Sequence, residues 1–171
     1  IKNIRTVFWV MSKTSGNSGS LLCHPSAHHF HSNGDKFWHP KHTHEHILKG
    51  NLRINGMQGN AESIYPNKLS VVSLRTTGDV IASRFGRDRN HGGKYNWNGE
   101  IGELIIFSEA LKDQQIEQIE NHLISKWKVK SGNENTYGKP MAYLSFDDRE
   151  GNRYPNTADT TKGTSTNKNN K

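Results

Sequence analysis

The chain is poor in cysteine, in apolar residues and in catalytic motifs, and each shortage narrows what it can be. Its 171 residues hold one cysteine, Cys23, so no internal disulfide can form. A lone thiol of this kind is more often a buried small hydrophobe than a reactive group, and cysteine usage leaves the compartment open. Only 31% of residues are hydrophobic and mean hydropathy is -0.88, which with recurring apolar strands reads as a thin-cored β protein with a very polar surface. No apolar run is long enough to cross a bilayer, so no membrane insertion is expected, and no signal sequence is visible. Acidic residues are outnumbered, 16 Asp and Glu against 23 Lys and Arg, for a formal net charge of +7. That excess favours anionic partners, namely acidic or sulfated polysaccharide, nucleic acid or a charged cell surface; solubility alone also explains it.

What is present is strongly patterned. In Ile101–Phe107 the residues Ile101, Glu103, Ile105 and Phe107 fall on one side of an extended chain and Gly102, Leu104 and Ile106 on the other, as in a strand buried on both faces. After Ser108 the period changes. Ile116, Ile119, Leu123 and Trp127 recur three or four apart and predict a helix beginning near Lys112 or Asp113, with Asp113 as a first-turn acid and Lys126 and Lys128 at the far end of the dipole. Ile4–Met11 is rich in β-branched and aromatic residues and predicts a central strand. Further strands are predicted at residues 21–23, 28–31, 36–39, 43–48, 51–55, 69–75 and 80–85, with Asn-Gly turns at 33–34 and 55–56 and a long polar loop over 84–98.

The run W-N-G-E-I-G-E-L-I-I-F-S-E-A-L, followed by a short polar helix ending in K-W, resembles the closing segment of laminin-G-like domains of the concanavalin A-like jelly-roll class, as found in bacterial secreted proteins. Near the start, T-V-F-W-V resembles an early core strand of such domains. The resemblance implies an all-β fold: a two-sheet antiparallel jelly-roll sandwich with one short C-terminal flanking α-helix, in an extracellular or cell-surface protein. It implies no single function, because the fold carries sugar-binding modules, adhesive modules and hydrolases alike.

Residues 1–130 are expected to form that domain, 131–140 a linker, 141–155 an extra strand and 156–171 a polar, disordered tail. In the extra strand Ala142, Leu144 and Phe146 share a face, and the segment resembles the opening strand of another laminin-G-like unit. The family normally has such a strand before the position of Ile1, and because Ile1 opens directly on a strand the numbering is expected to start inside a longer precursor or a trimmed chain. Three readings compete: a fragment of a tandem array, a late strand that completes its own sandwich as a circular permutation, and a late strand that completes a neighbour by strand exchange.

Eight of the ten histidines lie between His24 and His46. On strands, His42, His44 and His46 share a face, as do His29 and His31, and adjacent imidazoles suit Zn, Cu or Ni, particularly with Asp35 or Glu45 nearby. The spacing matches no standard metal motif, and a polar sheet face donating hydrogen bonds to ligand or water is the plainer reading. No cofactor is expected; a histidine-bound transition metal, and calcium on the isolated Asp35, Asp79 or Asp88, are the open alternatives, the second implied only by the resemblance. Phe37, Trp38 and Tyr95 occupy predicted loop or edge positions, where aromatic faces stack on sugars while Arg, Lys, His and Asn bind hydroxyl, carboxylate or sulfate groups. Trp9, Trp97 and Trp127 are assigned to structure. The loop R-F-G-R-D-R-N-H-G-G-K places Arg84, Arg87, Arg89, His91 and Lys94 in a glycine-rich segment suited to an anion, with Arg53 and Arg75 on strands extending that face; a solvated loop with Asp88 as counter-charge is the alternative.

Catalysis is not expected. Jelly-roll hydrolases carry E-x-D-x-x-E on one strand, and here Glu100 and Glu103 are three apart, hence on opposite faces, while Asp147 and Asp148 are adjacent. No lyase motif, Ser/His/Asp or Cys/His arrangement or nucleic-acid motif is visible, and nucleic acid is a distant option. The expected function is a non-catalytic extracellular carbohydrate-binding or adhesive module for an anionic, sulfated or uronate, polysaccharide. Trp38 stacks, His39 and His44 donate, and Arg53, Arg87, Arg89 and Lys94 pair with charge. The alternative is a structural subunit that binds other copies of itself through residues 141–146, building an extracellular fibre or array.

Overall fold

The computed structural model describes residues 1–14, 18–26, 28–87 and 93–131. All of them lie in one of the two units into which the chain divides, Ile1–Asn133, so the predicted extra strand and tail fall outside the described residues. In chain order the elements are β1 (Ile4–Met11), β2 (Leu22–Cys23), α1 (Glu45–Leu48), β3 (Asn51–Ile54), β4 (Met57–Gly59), β5 (Ser70–Val80), β6 (Arg84–Phe85), β7 (Ile101–Phe107) and α2 (Asp113–Trp127). These are mostly strands in antiparallel sheets: a five-stranded sheet in the order β4-β3-β5-β1-β7 and a two-stranded sheet of β2 and β6, an arrangement compatible with an all-β sandwich.

β1 is flanked by β5 and β7 and is buried on both faces, which is why its sequence is almost continuously apolar. Val7, Trp9 and Met11 enter one core with Val72 and Leu74 of β5. An irregular layer covers that face and contributes Phe30, Phe37, Trp38 and Tyr65, whose rings interlock: Trp9 to Phe30 at 5.6 Å, Phe30 to Trp38 at 6.1 Å, Phe37 stacked on Tyr65 at 3.9 Å. Phe8 and Val10 face the other way, with Val71, and meet Ile116 and Leu123 of α2. The helical period read from the sequence is therefore the face that packs on the sheet.

The predicted faces of β7 need one correction. β1 pairs Val10 with Glu103 but Met11 with Ile101, so Gly102 is an extra, bulged residue. The bulge moves Ile101 to the core shared with Leu104 and Ile106, leaving Ile105 and Phe107 toward α2. A Cβ on Gly102 would stand 2.8 Å from the Trp127 ring, so glycine lets helix and strand approach.

Other expectations shift at short segments. Residues 43–48 do not extend: His44 accepts a hydrogen bond from the His46 backbone N–H at 3.3 Å and caps α1, and Ile47 is buried. Residues 28–31 and 36–39 make isolated bridges, Ser20 with His31 and Asn33 with Lys36, in place of strands. The strands predicted at 69–75 and 80–85 are one long β5 reaching Val80, followed by the two residues of β6. Asn55-Gly56 does turn the chain, with φ of 50° and 80° as a type I′ hairpin requires, but it returns as β4, which the sequence reading lacked.

Candidate functional site

Loop residues 60–69 are tied down from both ends. The buried Tyr65 donates its backbone N–H to the Asp35 carbonyl at 2.7 Å and its hydroxyl to the Phe37 carbonyl at 3.2 Å, and the Lys13 N–H donates to the Pro66 carbonyl at 2.8 Å. Burial pushes the Tyr65 phenol well up from its ordinary range, so it stays a neutral donor. Beyond it, Lys68 and Leu69 lead into β5 beside the last turn of α2. That turn is closed by Lys128 in the left-handed conformation, φ 51°, with the Val129 N–H returning to the Ile124 carbonyl at 3.0 Å. Trp127 is fixed by its indole N–H, donated to Glu103 at 2.8 Å.

These segments enclose a groove in two parts. One cleft, of about 500 Å³, lies between the start of β5 and the end of α2 and is lined by Asn67, Lys68, Leu69, Trp127, Lys128 and Lys130, among others. Its three lysines are exposed, and among the described residues no acidic side chain lines it. Carbonyls at the end of α2 contribute roughly half a negative charge there, which three ammonium groups outweigh. The second cleft, of about 460 Å³, is lined by Lys13, Thr14, Asp35, Ile64 and Tyr65. Pro66 and Asn67 line both clefts, so they form a ridge between two adjoining compartments.

Lys13 is only 4% exposed and turns its amine inward. It donates to Ser32 Oγ at 3.2 Å and to the Gly34 carbonyl, and lies 4.7 Å and 5.7 Å from the ring centres of Tyr65 and Trp97. Burial lowers its pKa to about 8, against the opposing pull of Asp35. The exposed groups of this compartment are therefore the Asp35 carboxylate, the Asn67 amide, Thr14 and Ile64, which is 61% exposed.

The residues singled out from the sequence are dispersed. Trp38 is 1% exposed and packs in the aromatic core, so it has no free face for a sugar, and the expectation of stacking there is corrected. Arg53 is corrected too. It points to α2, donating from Nε to both oxygens of Glu120 at 3.0 and 3.1 Å and from Nη2 to the Gly56 carbonyl, and Arg75 pairs with Asp113 at 2.7 Å. Arg89 lies outside the described residues and Arg87 is exposed. His39 and Lys94 belong to one neighbourhood: the His31 ring is 5.9 Å from those of His39 and His42 and 5.5 Å from Tyr95, over which Lys94 Nζ stands at 5.4 Å.

His44 belongs to another. It stacks on His28 at 4.2 Å, with His46 at 5.0 Å and His24 at 6.3 Å from His28. Burial first and neighbouring imidazoles second lower the pKa of His28, His39 and His44. Among the described residues no group of three or more His, Cys, Asp or Glu is disposed around a common metal position, and Asp79 pairs with Arg5 at 3.6 Å. The stacked His28 and His44 rings lie nearly parallel, 16° apart.

Sequence reasoning missed Lys68, Lys128 and Lys130, which lie in two separate polar stretches. The only available signal was the +7 net charge, which gives a sign and no location. Among the described residues no helix is long and apolar enough to cross a membrane. No family model, no curated protein and no solved structure matches this chain.

Proposed function

We propose that this chain is a non-catalytic, extracellular carbohydrate-binding module of the laminin-G-like jelly-roll class, which holds an anionic polysaccharide in the two-part groove. The observation that carries the reading is the cleft where Lys68, Lys128 and Lys130 converge beside Trp127 with no acidic side chain among the described residues of its lining. Lysine ammonium groups supply charge for a carboxylate or sulfate, the Asn67 amide supplies direction for hydroxyls, and the half-buried indole and Leu69 supply apolar contact for the C–H face of a sugar. An open groove with a dividing ridge suits a polymer better than a small enclosed ligand.

The test is affinity for a soluble acidic polysaccharide. Lys68→Ala combined with Lys130→Ala is expected to weaken binding about tenfold, two exposed ion pairs at up to ~1 kcal/mol each, and to flatten its salt dependence. Arg87→Ala and His39→Ala are expected to leave it within about twofold. Unchanged affinity in the double lysine variant places the site elsewhere.

A second reading, assembly by strand exchange, is favoured by one feature. Among the described residues β7 has a neighbour only on its β1 side, and an edge strand of seven residues is a template for pairing. Mass in solution that climbs with protein concentration supports assembly; a constant monomer mass removes it.

A further inference from the structure

We infer, resting on the polysaccharide reading above, that the groove selects a polymer in which acidic units alternate with neutral ones. The two compartments adjoin across Pro66 and Asn67, so neighbouring units of one chain occupy them together. They are chemically unlike. The α2 compartment offers three exposed lysines and, among the described residues, no acid. The other is lined by the exposed Asp35 carboxylate and, among the described residues, by one cation, Lys13, which is buried and turns its amine inward to Ser32 and the Gly34 carbonyl. An acidic unit seated beside Asp35 meets like charge in a partly desolvated cleft, which is unfavourable. A neutral unit finds two carboxylate oxygens that accept from sugar hydroxyls, the Asn67 amide as a further partner, and the exposed Ile64 side chain as an apolar wall.

The prediction has a decisive sign. Attraction by the net charge of +7 favours the ligand with more negative charge, that is, a contiguous polyacid. Selection by the groove favours the ligand with fewer.

The experiment compares two probes of equal length at fixed ionic strength by titration calorimetry: a hyaluronan tetrasaccharide, in which uronate alternates with N-acetylhexosamine, and a tetragalacturonate, in which every unit is acidic. The full chain is expected to bind the alternating probe about tenfold more tightly, ~1.4 kcal/mol. Asp35→Asn is expected to close most of that gap by strengthening tetragalacturonate binding. It should fold normally, because the Asp35 carbonyl, and not its side chain, holds Tyr65. Equal affinity for the two probes, preference for tetragalacturonate, or a gap untouched by Asp35→Asn overturns the inference while leaving the binding module standing. No binding of either probe at low salt removes the polysaccharide reading and the inference with it.

Discussion

An ammonium group enclosed by Ser32, the Gly34 carbonyl and the faces of Tyr65 and Trp97 has exchanged most of its hydration for a few fixed partners. For Lys13 the exchange is incomplete, and its pKa falls from 10.5 to about 8. Between those values the unfolded chain holds a proton that the folded chain has released, so stability rises with pH over that range. Tyr65 acts with the opposite sign once its unfolded phenol ionises near 10.0, because the folded phenol keeps its proton. The expected signature is a urea midpoint that climbs between about pH 8 and pH 10 and then turns over. In Lys13→Met the climb disappears, since no amine is left to titrate at that position. Arg53 makes a different kind of claim at this scale. Glu120 is 2% exposed and accepts from Arg53 and from the Ser73 hydroxyl, so Arg53→Met strands a buried carboxylate with a single hydroxyl donor. A loss of about 3 kcal/mol in urea unfolding is expected, largely recovered when Glu120→Met is added.

At the scale of elements, α1 depends on an imidazole that stays neutral. The His44 ring accepts from the His46 N–H, a role that a protonated Nδ1 cannot fill, and burial first and the neighbouring His46 second lower its pKa, against the opposing pull of Glu45. His28 and His44 have folded pKa values below the ordinary 6.5, so the unfolded chain takes up protons first as pH falls. Their contribution is intact above about pH 6.5 and declines below it. Melting temperature is therefore expected to drop between pH 7 and pH 5, and His44→Asn, which caps a helix without titrating, is expected to shrink that drop. An unchanged pH profile in this variant would show that the stack is not coupled to stability.

Elements were legible in proportion to how much of their own burial their sequence encodes. Ile4–Met11 and Ile101–Phe107 are flanked by structure on both faces, and α2 carries its packing period in Ile116, Ile119, Leu123 and Trp127. Each of these was located from the chain alone to within a residue. β4 is three residues long, half-exposed or exposed, and α1 is four residues; neither spans enough periods to announce itself. The bulge at Gly102 was invisible because one extra residue in β7 has meaning only against β1.

For the whole molecule, the sequence by itself determined the strand-rich class, the two-sided burial of β1, the closing helix, the burial of Cys23 and a cationic excess, whereas β7, read as a buried strand, is among the described residues an edge strand whose residues are half-buried or exposed. Those are properties of composition and of period along a segment, and they survive without knowledge of partners. Tertiary structure decided which polar and aromatic residues remain available. It enclosed Trp38 among Phe30, Phe37 and Tyr65, committed Arg53 to Glu120, bent the histidine run out of strand geometry, and brought Lys68, Lys128 and Lys130 to one cleft. Availability follows from pairing between segments dozens of residues apart, as with Arg53 and Glu120 or Lys68 and Lys128. No local period in one stretch records what the other will place against it.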